Sequence, residues 1–238
     1  MTKDTTDTQT LDLEDAIKAS QGAKLKASFG NSRAKGTAGD PDYFPTPPWA
    51  TRALIHEVIG QKQIRDKVVW EPACGEGHMS KVLREFPFAE VLETDKYSHN
   101  GYLPDANKLD FLEHPPCTVD WIITNPPFNL SLEFVKKAME HATHGVAILQ
   151  RLNFLEGKKR CTELFWDTAP SNVAVFSERV PMVKGRLDRK ASTATPYAWY
   201  VWHRRRPIDI DPWANCDTTL NWIPGGTRKI LERDEDYT

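Results

Sequence analysis

One stretch restricts the fold more than any other: Val119-Asp120-Trp121-Ile122-Ile123 followed at once by Thr124-Asn125-Pro126-Pro127-Phe128-Asn129. The first part is a short apolar run bounded by turn residues, the pattern of a buried strand. Two prolines then end any ladder, because neither has a backbone N–H to donate. Each also biases the residue before it to extended geometry. The pattern predicts a stiff loop at the carboxyl end of a strand, carrying an amide and then an aromatic ring. In open α/β sheets that end of a strand is where ligands bind.

Such a loop has a specific chemical use. An exocyclic amine conjugated to a ring is a poor nucleophile because its lone pair is delocalised. The Asn125 side-chain carbonyl can accept one of its N–H bonds and the Pro126 carbonyl another, freeing the lone pair towards an electrophile. Phe128 would stack on the ring and hold it in line. Taken alone, the motif is equally well read as a Pro-Pro turn with a capping Asn and a core Phe. The rest of the chain has to decide.

A second strand, Lys67-Val68-Val69-Trp70-Glu71, runs straight into Pro72-Ala73-Cys74-Gly75-Glu76-Gly77-His78, and a helix is expected from Met79 to Phe86. Strand, Gly-x-Gly turn and helix open a nucleotide-binding βαβ unit, the glycines permitting a tight turn and close approach of backbone to ligand. No third glycine completes a dinucleotide fingerprint, and no Gly-Lys-Ser/Thr makes a P-loop, so an adenosine ligand without a phosphate chain fits better. Val91-Leu92-Glu93-Thr94-Asp95 is a further strand, ending about twenty residues on in an acid suited to ribose hydroxyls or to capping a turn. Asp105 to Leu112 reads as another strand end, where Asp110 could accept from an adenine amine and Phe111 cover its face. Upstream, Tyr43-Phe44-Pro45-Thr46-Pro47-Pro48-Trp49 places Thr46 to cap a helix through Ala50, Ala53, Leu54, Val58 and Ile59. Leu132, Val135, Ala138 and Met139 mark another amphipathic helix. Val146–Leu149, Val173–Phe176 and Ala198–Trp202 read as buried strands.

The ends and loops are polar. Residues 1–40 read as a flexible arm with a short helix near 11–20 and a basic, glycine-rich linker carrying Lys24, Lys26, Arg33 and Lys35. The body is expected over 41–206, and 207–238 as a C-terminal tail without an assigned role. Within the body, the 179–196 loop gathers Arg179, Lys184, Arg186, Arg189 and Lys190, with Arg204, Arg205 and Arg206 just beyond the next strand. This is the densest basic region and the expected nucleic-acid contact. The overall charge of -2 argues neither for nor against such a partner. Cys74, Cys117, Cys161 and Cys216 are scattered without a Cys-x-x-Cys pair, which suits a reducing compartment and shows no metal-ligand spacing. No apolar run is long enough to span a membrane, and no signal peptide is visible, so a cytoplasmic location is expected.

Together the motifs resemble those of S-adenosylmethionine-dependent amino-methyltransferases, most of all the small adenine-N6 DNA methyltransferases of phages and prophages. The resemblance runs from Asp42 to Arg205. It implies a Rossmann-like class I methyltransferase fold: a seven-stranded, mostly parallel sheet with an antiparallel last strand and helices on both faces. It assigns cofactor binding to Tyr43, Phe44, Pro45, Thr46, Glu71, Pro72, Ala73, Cys74, Gly75, Gly77, Asp95, Asp110 and Phe111. Asn125, Pro126, Pro127 and Phe128 become the catalytic loop. The implied reaction is methylation of adenine N6 in DNA, with the base flipped out of the duplex, in a bacterial or phage-infected cell.

The stretch between Asp110 and Asn125 is too short for an inserted recognition domain, so limited sequence specificity is expected. The same loop also suits amino groups of adenine or guanine in RNA, and glutamine amides in proteins. A non-catalytic nucleic-acid-binding protein on a degenerate scaffold is the alternative of a different class; the intact Asn125 and Gly75 speak against it.

Overall fold

A computed structural model describes residues 11–12, 43–204, 212–214 and 217–238. Seven strands form one sheet: β1 (Val68–Glu71), β2 (Glu90–Glu93), β3 (Cys117–Thr124), β4 (Ala142–Arg151), β5 (Asn172–Phe176), β6 (Tyr197–His203) and β7 (Thr219–Ile223). Their spatial order is β2-β1-β3-β4-β6-β5-β7. All neighbours are parallel except β6, which runs antiparallel to β4 and β5.

The apolar runs are continuous because both faces of the sheet are covered, and alternate residues serve opposite faces. Val69, Trp121, Ile123, Ala147, Leu149, Trp199 and Val201 pack on one side against Trp49, Ala53 and Leu54. Trp49 and Ala53 belong to helix α1 (Pro48–Ala53), and Leu54 opens the π-helical stretch Leu54–Ile59 that prolongs it. Trp70, Ile122, Val146, Ile148, Tyr200 and Trp202 pack on the other side against Leu132, Val135 and Ala138 of helix α2 (Ser131–His141). Gly145 lies opposite Trp121, where a Cβ would come within 2.3 Å of the indole. A large ring there requires the missing side chain.

Four expectations are revised. The segment from Asp105 to Leu112 is no strand: it makes one turn, Asp105–Asn107, and a single bridge between Lys108 and Asp95. The seventh strand comes instead from the tail, as β7 beside β5, so the antiparallel strand β6 is followed in the chain by a parallel one. Thr46 does not cap α1; Pro47 precedes the helix without a side-chain cap, and the Thr46 hydroxyl turns to Asn125. Leu11–Asp12 are a short strand, not the start of a helix, pairing with Cys117–Thr118 below the point where β1 meets β3. Backbone groups of β3 that β1 does not reach find partners there. The rest of the expected 11–20 helix, Asp42, and Lys24, Lys26, Arg33, Lys35, Arg205 and Arg206 lie outside the described residues.

The C-terminal segment is tied to the body. After β7 come a helical turn at Thr227–Leu231 and another at Asp234–Tyr237. Arg52 of α1, buried, donates to both Asp236 oxygens at 2.7 and 2.8 Å, to Glu85 at 2.6 and 2.9 Å, and to the Leu231 carbonyl at 2.8 Å. A buried guanidinium is tolerable only when its donors are satisfied in this way.

Candidate active site

A cavity of about 450 Å³ opens at the carboxyl ends of β1, β2 and β3. Tyr43, Phe44, Pro45 and Thr46 close one side of it; Glu71, Pro72, Ala73 and Cys74 continue from β1 into the glycine turn. Asp95, Asp110 and Phe111 line it from the β2 side, and Asn125 and Pro127 from the β3 loop. Gly75, Gly77, Pro126 and Phe128 are not on its wall.

The glycines serve packing against rings. Gly75 has φ +57° and Gly77 φ +74°, a region that favours glycine. A Cβ on Gly75 would meet the Tyr43 ring at 2.3 Å, and one on Gly77 the Tyr102 hydroxyl at 2.1 Å. The turn is thus clamped between two tyrosines. Tyr43 stacks on His99 with centroids 4.0 Å apart, and its hydroxyl accepts the Glu76 N–H at 3.3 Å. Burial, with Glu76 beside it, pushes its phenol well above the ordinary range.

Two buried carboxylates face the cavity in different surroundings. Asp95 accepts the Gly75 N–H on one oxygen and the Tyr97 N–H on the other, both at 2.9 Å, which fixes its plane across the turn. Glu71 is held by Ser80, through its hydroxyl and its backbone N–H, but burial outweighs both and raises its pKa to about 8. Asp110 is held by Lys96 at 2.6 Å and caps the Leu112 N–H at 3.1 Å. Phe111 is mostly core, edge-on to Trp70 at 5.1 Å.

At the β3 loop the amide orientation can be read from its partners. Asn125 Nδ2 lies 2.8 Å from the Phe44 carbonyl, which can only accept, and 3.1 Å from Thr46 Oγ1. The nitrogen therefore faces the N-terminal segment, and Oδ1 is buried without a hydrogen-bond partner. Gln150 Nε2 approaches the Pro126 carbonyl at 3.5 Å. Phe128 sits between Phe44, at 5.3 Å, and Tyr197, at 6.1 Å, with the Arg151 guanidinium 4.3 Å over its ring.

The sequence motifs miss Lys96, Tyr97, His99, His78, Asn129, Leu130 and Phe134, which also line the cavity. Lys96 and Tyr97 follow Asp95 directly, and that adjacency is the available signal. Tyr97 is an exposed ring, whereas Phe134 and Leu130 reach the wall only because α2 starts beneath the loop.

The basic loop stands apart. None of Arg179, Lys184, Arg186, Arg189 and Lys190 is on the cavity wall. Arg186 pairs with Asp188 at 3.1 Å, and Arg189 with Glu232 at 3.2 Å and Asp234 at 2.7 Å. Arg179, Lys184 and Lys190 are exposed and, among the described residues, have no ion pair. The loop is moored to the cavity rim at two points: Gly185 N–H donates to the Tyr43 carbonyl at 2.8 Å, and Met182 Sδ lies 3.7 Å from Asn125 Nδ2. No helix among the described residues is long and apolar enough to cross a membrane.

Neither a protein-family model nor a curated protein matches the chain. Several solved structures resemble it in fold, among them two with TM-scores above 0.5. A Pyrococcus horikoshii protein provisionally described as an RNA methyltransferase aligns with a TM-score of 0.52 and 19% identity, covering 79% of this chain and 96% of that one. A Listeria monocytogenes protein provisionally described as a class I S-adenosylmethionine-dependent methyltransferase aligns with a TM-score of 0.54 and 13% identity, covering 92% and 76%. With its single reversed strand β6, the chain has the Rossmann-like class I methyltransferase fold expected from its motifs.

Proposed function

We propose that this chain is an S-adenosylmethionine-dependent methyltransferase acting on the N6 amino group of adenine in DNA. The observation that carries the reading is the buried, unpartnered Oδ1 of Asn125, held at a cavity wall by an amide nitrogen that is already satisfied. A lone acceptor placed so costs stability unless a donor arrives. A planar amine is such a donor.

The cavity suits the cofactor. Its volume lies in the range of small-molecule sites. Asp95, its plane set by two backbone N–H groups, presents a carboxylate to the ribose hydroxyls. Tyr97 and Leu112 offer apolar surface for adenine, and Lys96 holds Asp110 close by. Glu71 offers a buried carboxylate to a cationic ligand, whose charge would lower its pKa again. When bound, S-adenosylmethionine supplies an electrophilic methyl group.

Everything else falls to the chain. Asn125 Oδ1 accepts one hydrogen of the target amine, and the Pro126 carbonyl, only weakly engaged by Gln150, accepts the other. With both hydrogens held, the nitrogen lone pair points out of the ring plane, and orientation supplies most of the rate. Phe128 is the stacking surface, and Arg151 has to leave its face before a base can lie there. A base within a duplex cannot reach the cavity, so the nucleotide is flipped out. On the 179–196 loop, Arg179, Lys184 and Lys190 serve the phosphates.

RNA is the rival substrate, because the Pyrococcus protein that shares this fold is provisionally described as an RNA methyltransferase. Transfer of label from tritiated cofactor to duplex DNA, RNA and protein separates these targets. Mapping N6-methyladenine in DNA from cells expressing the chain, beside the Asn125→Ala variant, tests the reading directly. Modified adenines are expected with the first and not the second. Equal modification in both would remove Asn125 from the mechanism.

A further inference from the structure

Behind the part of the cavity wall that Phe111 forms, three residues distant in sequence meet. His114 lies in the turn before β3, Cys117 is the first residue of β3 and His141 the last of α2. One donor atom from each lies within 4.8 Å of the other two, and the residues are 8%, 1% and 1% exposed. Cys117 Sγ is 3.2 Å from His141 Nδ1, which also receives the Cys117 N–H at 3.0 Å. A thiol–imidazole hydrogen bond would explain that pair alone. It leaves His114 Nδ1 and His141 Nε2 buried without partners. Two buried imidazole nitrogens without partners, on rings that bring a donor atom within 4.8 Å of one thiol, call for a bound species.

We infer that His114, Cys117 and His141 form a binding site for one metal ion of the soft or borderline class, Zn(II) or Cu(I). Two imidazoles and one thiolate are the donor set that such ions select over hard cations. The walls are aromatic: Trp70 is edge-on to both imidazoles, at 5.5 and 5.3 Å, and Phe111 lies 5.4 Å from His141. They make the pocket apolar and leave no carboxylate in the cluster, which disfavours calcium or magnesium. With one thiolate, Cu(I) makes the site neutral, whereas Zn(II) leaves a positive charge and an open position for water. Because Phe111 also lines the cavity, the ion would brace that wall. The inference rests on this cluster and not on the reaction proposed above.

The test uses the full chain, stripped with chelator and kept reduced, in a background where Cys74, Cys161 and Cys216 are serine. Zn(II) and anaerobic Cu(I) are titrated in separate arms against a competing chelator, and Co(II) serves as the spectroscopic probe. One equivalent is expected to bind, Co(II) to give a thiolate charge-transfer band, and the thermal midpoint to rise. Cys117→Ala should abolish the band, and His114→Gln, in a turn outside the sheet, should weaken binding at least about 10-fold. The arm with the tighter constant identifies the ion. Circular dichroism checks each variant's fold; if Cys117→Ala is unfolded, Cys117→Ser and His114→Gln carry the test. Absence of uptake by the folded chain, or the same uptake in the folded variants, overturns the inference and leaves a buried water.

Discussion

The cavity wall and the 179–196 loop are both conspicuous in the sequence for their polar residues, yet the fold treats them oppositely. At the wall, the key polar atoms are fixed by named partners: Asp95 by two N–H groups, the Asn125 amide by Phe44 and Thr46. On the loop, charges are many and exposed, and part of them is already spent. Arg189 is taken by Glu232 and Asp234 of the C-terminal segment, and its guanidinium lies 5.5 Å from the Tyr237 ring. Water screens such pairs, whereas nothing screens a buried acceptor. The position of a buried polar atom therefore says more about chemistry than the density of exposed charge.

The contrast can be broken in four ways, beginning with the largest effect. Replacing Asn125 with alanine should cut turnover about 10²–10³-fold, the loss seen when a preorganised polar group is removed, while calorimetry still finds the cofactor bound. Retained turnover would mean that the wall is no more functional than the loop. Next comes Glu71. Its folded pKa is raised by burial to about 8, so between its unfolded value near 4.5 and pH 8 the folded state holds the extra proton. Stability of the cofactor-free protein should then fall as pH rises through that window, by about 3–4 kcal/mol between pH 5 and 8. Glu71→Gln should flatten the curve in thermal melts; a slope that survives would place its cause elsewhere.

A smaller effect is expected at Gly75, where alanine meets both a left-handed backbone and the Tyr43 ring. The loss should be about 1–3 kcal/mol in urea titrations, with weakened cofactor binding. An unchanged midpoint would show that the tyrosine clamp yields freely. Smallest is the loop. Lys184→Ala should lower the salt-dependence slope of nucleic-acid binding by about 1, as one phosphate contact is lost. Arg189→Ala should leave that slope unchanged, because its partners are Glu232 and Asp234. Equal slopes for the two variants would erase the distinction between spent and available charge.

Much of the fold is legible in the residues alone. The runs around Val69, Ile122, Val146 and Trp199 mark strands buried on both faces, since little else makes apolar residues contiguous over so short a length. The Asn-Pro-Pro-Phe loop marks the end of the sheet where the cavity lies. Local patterns fail where partners are distant. Thr46 looks like a helix cap, but its hydroxyl meets Asn125, far along the chain. Asp105 to Leu112 has strand-like composition but forms only a single bridge, while Thr219–Ile223, unremarkable by itself, finds the open edge of β5. His114, Cys117 and His141 have no motif spacing, because a turn, a strand start and a helix end bring them together.

By itself, then, the sequence determined the layered α/β architecture, the succession of its central strands and the loop that borders the cavity. These depend on periodicity and on backbone restrictions, both local. Only the tertiary structure decided which way the Asn125 amide points, which arginines are already paired and which imidazoles share a pocket. Those outcomes depend on hydrogen-bond partners and burial, which belong to residues far apart in the chain.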